Sequence, residues 1–79
     1  PVEQLVRSST GQLFALGGSY FKSDFKLYRY NATSTAWDVV LSNVTDPVFI
    51  DASDKIYART SNYSLNVSSD NGSTFTTLS

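Results

Sequence analysis

Residues Ser68–Phe75 read SSDNGSTF and contain the most informative turn of the chain. This stretch separates two β-like runs, 64–68 and 74–78, as the turn of a hairpin does. Asp70 can accept hydrogen bonds from backbone N–H groups of its own turn, and Gly72 can supply the positive φ that a tight hairpin requires. The stretch therefore predicts a β-hairpin.

The remaining residues of the stretch are predicted to brace this hairpin. Ser68 and Thr74 can form hydrogen bonds across the hairpin base, and Phe75 is expected to pack into the sheet core. Asp70 supplies only one carboxylate, and a calcium site ordinarily needs more oxygen ligands than that. We therefore predict a structural role for the motif, with no catalytic residue and no metal site.

A degenerate copy of the hairpin lies upstream. Residues 30–37 (YNATSTAW) align with 68–75 at a shift of 38 residues, which places Trp37 on Phe75. A repeat of about 40 residues built from short strands is the signature of a propeller blade. The alternative is that any β-sequence rich in Ser and Thr can be aligned with itself.

The first half of each repeat aligns at a different shift. Residues 13–15 (LFA) match 56–58 (IYA) at a shift of 43 residues. The extra residues fall in the loop 17–24 of the first repeat, and surface loops are where insertions are tolerated.

The strand pattern divides into two sets of four, and we find no helical period of useful length. The predicted strands are 2–6, 12–16, 25–30, 37–41, 48–50, 55–59, 64–68 and 74–78. The predicted fold class is all-β, with two four-stranded antiparallel propeller-like blades, residues 1–42 and 43–79, in a single β-domain, 1–79. Such a unit is incomplete without neighbouring copies or further blades, because one blade cannot bury its own faces.

The hairpin 68–75 fits the pattern S-x-D-x-G-x-T-[W/F] and resembles an Asp-box, the motif of the bacterial neuraminidase repeat in sialidase-like and sortilin-like propellers. The segment 55–59 resembles the strand that commonly precedes an Asp-box. The first repeat has NATS at 31–34, without the Asp and Gly, and with Gly17 and Gly18 upstream it resembles a kelch repeat equally well. The resemblance implies that the motif lies at the propeller periphery, and that the chain is either a two-blade unit or a fragment of a larger propeller.

Composition excludes several classes of protein. The chain has 79 residues, a net charge of −1 and no Cys, His or Met, so it has no disulfide framework, no basic footprint for nucleic acid and no usual zinc ligands. Its apolar runs are far too short to span a bilayer. A core of this size rarely supplies more than about 3–5 kcal/mol, so oligomerisation is the remaining route to further burial.

We predict that the chain is not an enzyme and binds no cofactor. Sialidases use an arginine cluster, but Arg7, Arg29 and Arg59 occupy non-equivalent strand positions. The seven carboxylates are scattered. Asp51 and Asp54 are close in sequence, as a glycosidase pair could be, and the simpler interpretation is that both belong to a turn.

Asparagine supplies the second strong signal. All five Asn lie in N-x-[ST] sequons, although Ser and Thr fill only 21 of 79 positions. The predicted glycosylation sites are Asn31, Asn43, Asn62, Asn66 and Asn71. Four fall on predicted turns, where a glycan can project into solvent, whereas Asn66 falls within a strand. The pattern predicts an extracellular or cell-surface glycoprotein, and the alternative is that turns collect Asn for conformational reasons.

Two non-enzymatic functions remain. In the first, the chain is a structural module that associates with copies of itself into a ring or a filament. In the second, it is a lectin-like module that binds carbohydrate, with Tyr20 and Phe21 of the long loop as the ligand contacts. Five aromatic residues are instead expected to form the core, namely Phe14, Phe25, Trp37, Phe49 and Phe75.

Overall fold

The computed structural model of the chain describes residues 2–18 and 25–78. These residues form eight β-strands: β1 Val2–Arg7, β2 Leu13–Gly17, β3 Lys26–Asn31, β4 Ala36–Ser42, β5 Val44–Ile50, β6 Ile56–Thr60, β7 Leu65–Ser68 and β8 Thr76–Thr77. The strands build two open antiparallel sheets of four, in the orders β1-β2-β3-β4 and β5-β6-β7-β8. The predicted all-β fold of two four-stranded antiparallel blades is confirmed.

Each sheet follows chain order, as expected for strands joined by short connections. Two of the turns contain a glycine at positive φ: Gly11 (+91°) lies between β1 and β2, and Gly72 (+85°) lies between β7 and β8. The linker between the sheets is the single residue Asn43, whose φ of +57° turns the chain from β4 into β5. The second sheet therefore begins with β5, directly after this residue.

Strand β5 begins earlier than its predicted start at residue 48. Val44 pairs with Thr60, Thr45 pairs with Arg59, and regular pairing resumes at Phe49 after an irregularity. Pro47 falls within that irregularity, and proline interrupts a ladder because it has no N–H to donate. The proline obscures the strand in the sequence, since it breaks the run of strand-forming residues.

The core lies between the two sheets, which pack through one face each. Its buried apolar side chains are Phe14, Leu16, Phe25, Leu27, Val44, Val48, Ile56 and Ala58. We call the two faces that meet at this core the inner faces and the opposite two the outer faces. Successive residues of a strand point to opposite faces, so about half of each strand is turned away from the core.

Two of the five aromatic residues expected in the core lie on the outer faces. Phe14 and Phe25 are buried, and Phe75 is partly buried against the core. Trp37 is 43% exposed and Phe49 is 61% exposed. For these two the prediction of a core position is wrong, because the chain covers only one face of each sheet.

Candidate functional site

The hairpin between β7 and β8 is held by the carboxylate of Asp70. Its Oδ1 accepts hydrogen bonds from the backbone N–H of Thr74 (2.9 Å) and the hydroxyl of Ser68 (2.8 Å). Its Oδ2 accepts the hydroxyl of Thr74. These donors, the Thr74 hydroxyl first, lower the pKa of Asp70 to about 2. The carboxylate is thus engaged by its own turn, which is a structural role.

Ser68 completes this brace from the buried side. Its hydroxyl accepts a hydrogen bond from the backbone N–H of Gly72 at 2.9 Å, and the residue is itself buried. Ser68 and Thr74, which were expected to bond across the hairpin base, instead both donate to Asp70. The three polar residues therefore form one network around the turn.

The tip of this hairpin lies against the first sheet. A Cβ on Gly72 would lie 3.1 Å from Cε2 of Phe14. Arg29 of β3 donates to the carbonyl oxygen of Asn71 at 2.9 Å and to the hydroxyl of Ser73 at 3.3 Å. The motif therefore belongs to the contact between the sheets as well as to its own turn.

A second contact between the sheets is made by Gln4 of β1. Its Nε2 donates to the carbonyl oxygen of Val48 and its Oε1 accepts the Val48 N–H, both at 2.7 Å. The side-chain amide thus forms the same two hydrogen bonds with β5 that a residue of a paired strand would form. The sequence gives no sign of this role, because the partners are 44 residues apart.

Two further polar contacts join turns of different sheets. Ser9, after β1, donates its N–H (2.9 Å) and its hydroxyl to the carboxylate of Asp54, after β5, and these bonds lower the pKa of Asp54. Asn71 donates its side-chain amide to Oε1 of Gln12 at 3.1 Å. These hydrogen bonds therefore link the β1–β2 turn to both the β5–β6 turn and the β7–β8 turn at this end of the molecule.

Asp51 and Asp54 are held by different hydrogen-bond partners. Asp51 accepts the N–H groups of Ser53 and Lys55 within its own turn and the hydroxyl of Tyr57. The backbone hydrogen bond from Lys55 is the main cause that lowers the Asp51 pKa. Each carboxylate therefore has a structural partner set of its own.

The five sequons differ in accessibility. Asn43, Asn62 and Asn71 are exposed and Asn31 is half-buried, and all four lie at strand ends or in turns. Asn66 is only 6% exposed, and its Nδ2 donates to the carbonyl oxygens of Ala58 and Ser64, both at 3.3 Å. The folded sheet leaves no room for a glycan on that nitrogen.

The outer face of the first sheet carries an apolar band that crosses all four strands. Leu5 pairs with Ala15, Ala15 with Tyr28 and Tyr28 with Val39. Beside this row, Trp37 contacts Tyr30 edge to face, with ring centroids 5.2 Å apart. The members of this first outer face are Val2, Leu5, Ala15, Tyr28, Trp37 and Val39.

The outer face of the second sheet carries a group of apolar residues beside Arg59, which pairs with Leu65. Phe49 pairs with Tyr57 and Tyr57 with Val67, and the rings of Phe49 and Tyr57 lie 6.1 Å apart. Leu78 is exposed beside them, next to Leu65. The members of this second outer face are Phe49, Tyr57, Leu65, Val67 and Leu78.

Several expectations fall outside these sites. Tyr20 and Phe21, the predicted ligand contacts, lie outside the described residues. Residues 2–18 and 25–78 contain no group of three or more acidic, His or Cys side chains that could hold a metal ion. Nor does this part of the chain contain a helix long and apolar enough to cross a membrane.

The fold and its contacts define an all-β protein of two open sheets that pack through one face each. The chain matches no protein-family model, no curated protein and no solved structure.

Proposed function

We propose that this chain is a structural, non-catalytic module of propeller-like blades that associates with copies of itself. The observation that carries the proposal is the first outer face. Leu5 is 61%, Val39 50% and Val2 70% exposed, and the apolar row crosses the sheet without a charged residue between Leu5 and Val39. Contiguous apolar surface of this kind marks an interaction site, whereas single exposed apolar residues do not.

The size of the chain supports the same proposal. The principal-axis extents are 30 × 27 × 17 Å, and the core is a single layer between two sheets. Small domains bury a modest fraction of their surface, and covering an outer face would add apolar burial worth about 25 cal/mol per Å². Self-association is therefore a source of stability for a chain without disulfides.

We also propose that the module is an extracellular glycoprotein. The four accessible sequons lie at the two ends of the strands, Asn31 and Asn71 at one end, Asn43 and Asn62 at the other. Among the described residues, no sequon Asn belongs to either outer face. Glycans at these positions would leave both apolar faces free for association.

The second candidate function is carbohydrate binding. A groove of about 400 Å³ on the first outer face is lined by Val2, Leu5, Ala15, Tyr28 and Trp37, and an exposed indole can stack on a sugar. Sugar sites also need several convergent polar groups, and this lining is almost wholly aliphatic or aromatic. We therefore place self-association first.

The proposal is tested by measuring the molar mass of the purified chain by light scattering after size exclusion, over a range of concentrations up to about 1 mM. We expect species heavier than the 8.7 kDa monomer. The variant Trp37→Lys is expected to shift them towards the monomer, because it places a charge on the first outer face. Tyr63→Lys is the matched control, since Tyr63 is 83% exposed in the β6–β7 turn, away from that face.

A wild-type chain that stays monomeric throughout this range overturns the proposal. Equal effects of Trp37→Lys and Tyr63→Lys would show that the first outer face is not the contact. If the monomeric chain binds a glycan array and Trp37→Ala abolishes this binding, the carbohydrate function would be established instead.

A further inference from the structure

Pairs of positions that are equivalent in the sequence repeat differ in the face that they occupy. One member of each pair lies on an inner face and the other lies on an outer face. At the shift of 43 residues, Leu5 corresponds to Val48 and Val6 to Phe49. Leu5 is 61% exposed, whereas Val48 is 3% exposed in the core. The second pair is reversed, because Val6 packs against the core and Phe49 is exposed.

The later half of the repeat shows the same reversal at the shift of 38 residues. Trp37 corresponds to Phe75, and Leu27 corresponds to Leu65. Trp37 lies on the first outer face, whereas Phe75 packs against the core. Leu27 is fully buried at the core, whereas Leu65 lies on the second outer face.

This reversal gives each outer face a defined counterpart. The first outer face corresponds to the inner face of the second sheet, and the second outer face corresponds to the inner face of the first sheet. The two inner faces already pack on each other within the chain. At these four pairs of positions, two outer faces, one from each of two copies, therefore carry apolar residues as the contact within the chain does.

We propose that copies associate head to tail, with the second outer face of one copy packed on the first outer face of the next. Phe49 and Tyr57 would then take the places that Val6 and Phe14 have within the chain. Leu5 and Trp37 of the next copy would take the places of Val48 and Phe75. This inference rests on the proposed self-association and specifies its geometry.

Each outer face has a few exposed apolar side chains, Val2, Leu5, Trp37 and Val39 on the first and Phe49 and Leu78 on the second, so their contact belongs with small, transient interfaces. A contact between unlike faces leaves one outer face unpaired at each end of the assembly. Further copies can therefore add until a ring closes, or they form a filament. Closure at about four to eight blades would need two to four copies.

Two of the polar contacts within the chain have no equivalent between copies. The position that corresponds to Gln4 is Pro47, which has no side-chain amide, and those that correspond to Ser9 and Asp54 are Ala52 and Gly11. Polar pairs fix the register of an interface more than they strengthen it. The contact between copies should therefore be weaker and more readily exchanged than the contact within a chain.

The test is a complementation experiment with two face variants. Leu5→Lys with Trp37→Lys charges the first outer face, and Phe49→Lys with Leu78→Lys charges the second. All four side chains are exposed, so the fold should persist, and circular dichroism and thermal unfolding of each variant check this. Each variant alone is expected to be monomeric, with self-association at least about tenfold weaker than wild type.

Mixing the two variants in equal amounts is expected to restore association, but only into complexes with one copy of each. The first variant keeps an intact second outer face, and the second variant keeps an intact first outer face. Native mass spectrometry with one variant isotopically labelled identifies the pair. Tyr63→Lys, measured alone, controls for added charge, because it leaves both outer faces intact and should associate as wild type does.

Other results overturn the inference. If the variant with a charged second outer face still forms dimers, the first outer faces pair with each other. If the variant with a charged first outer face still forms dimers, the second outer faces pair with each other. Two variants that remain monomeric after mixing would also overturn it. If wild type itself does not associate, the proposed function fails as well, so the two failures are distinguishable.

Discussion

The side-chain amide of Gln4 pairs with the backbone of Val48 in both directions, with the N–H donated to the carbonyl oxygen and the carbonyl accepting the N–H, each at 2.7 Å. Val48 is among the most buried residues of β5. Its backbone groups would be unsatisfied at the core without this partner, since Val48 lies in the irregular part of the β5–β6 pairing.

Replacing Gln4 by Met should therefore destabilise the chain by about 1–3 kcal/mol, because two buried backbone groups lose their hydrogen bonds while the side-chain volume is kept. Urea unfolding followed by circular dichroism measures the change. Glu3→Met, on the adjacent exposed position of β1, is the matched control and should stay close to wild type. Equal stabilities for the two variants would show that water satisfies Val48 in place of Gln4.

Gly72→Ala should be more destabilising than Gly11→Ala. Both glycines have positive φ, so both substitutions carry a backbone cost of about 1–2 kcal/mol. Only at Gly72 would the new methyl group meet a packed ring, 3.1 Å from Phe14, whereas at Gly11 it would lie 3.6 Å from the end of the Arg7 side chain. We expect a further loss of about 1–3 kcal/mol from this contact.

The difference between the two glycine variants, measured by chemical denaturation, isolates the contact of the hairpin tip with the first sheet. The double variant Gly72→Ala with Phe14→Leu should recover part of the loss, because the smaller side chain makes room for the methyl group. No difference between Gly72→Ala and Gly11→Ala would mean that the hairpin tip moves away at little cost.

Acid should weaken the fold through Asp70. Its folded-state pKa, about 2, lies below the ordinary value of 3.8, so the ionised form is the one that the fold stabilises. That stabilisation is complete above about pH 4 and is lost as the pH falls towards about 2. The lowered pKa values of Asp51 and Asp54 act in the same direction.

Melting temperatures measured between about pH 5 and about pH 2 test this dependence. Asp70→Asn should melt below wild type near neutral pH and should lose less stability on acidification, because the titrating group has been removed. Glu3→Gln removes an exposed charge from β1 and should preserve the acid dependence. A wild-type melting temperature that is constant across the range would contradict the role given to the carboxylate.

Glycan occupancy should follow accessibility and not the sequon pattern alone. In protein secreted from a glycosylating host, we expect glycans on Asn43 and Asn62, whose side chains are exposed in turns, and none on Asn66. Intact mass before and after enzymatic glycan removal counts the sites, and peptide mapping assigns them. A glycan on Asn66 in the folded fraction would show that the β6–β7–β8 packing differs from the one described.

Local sequence patterns predict the number and order of the strands and the turn at 68–75. Alternation in segments such as 26–31 and turn chemistry at 68–75 act over a few residues, so they predict β-structure without knowledge of the rest of the chain. The start of β5 was missed because Pro47 interrupts the local pattern, while the pairing of Val44 with Thr60 depends on a strand further along the chain.

The roles of individual side chains were predictable only where their partners are close in sequence. Asp70 braces its own turn through Ser68 and Thr74, as a local motif can. Gln4 and Asp54 act across more than 40 residues, and no local pattern distinguishes them from other polar residues. Their partners exist only once the two sheets have packed.

Alternation and turn residues are enough to predict the all-β class and the hairpin chemistry from the sequence, because both act over a few residues. Which face of each sheet is covered depends on how the two sheets pack. An alternating strand offers an apolar side chain to both faces, as Leu5 and Val6 do, and the sequence does not say which one will meet a partner. Packing of the two sheets covers Val6 and leaves Leu5 exposed, because one chain supplies only one contact between two blades.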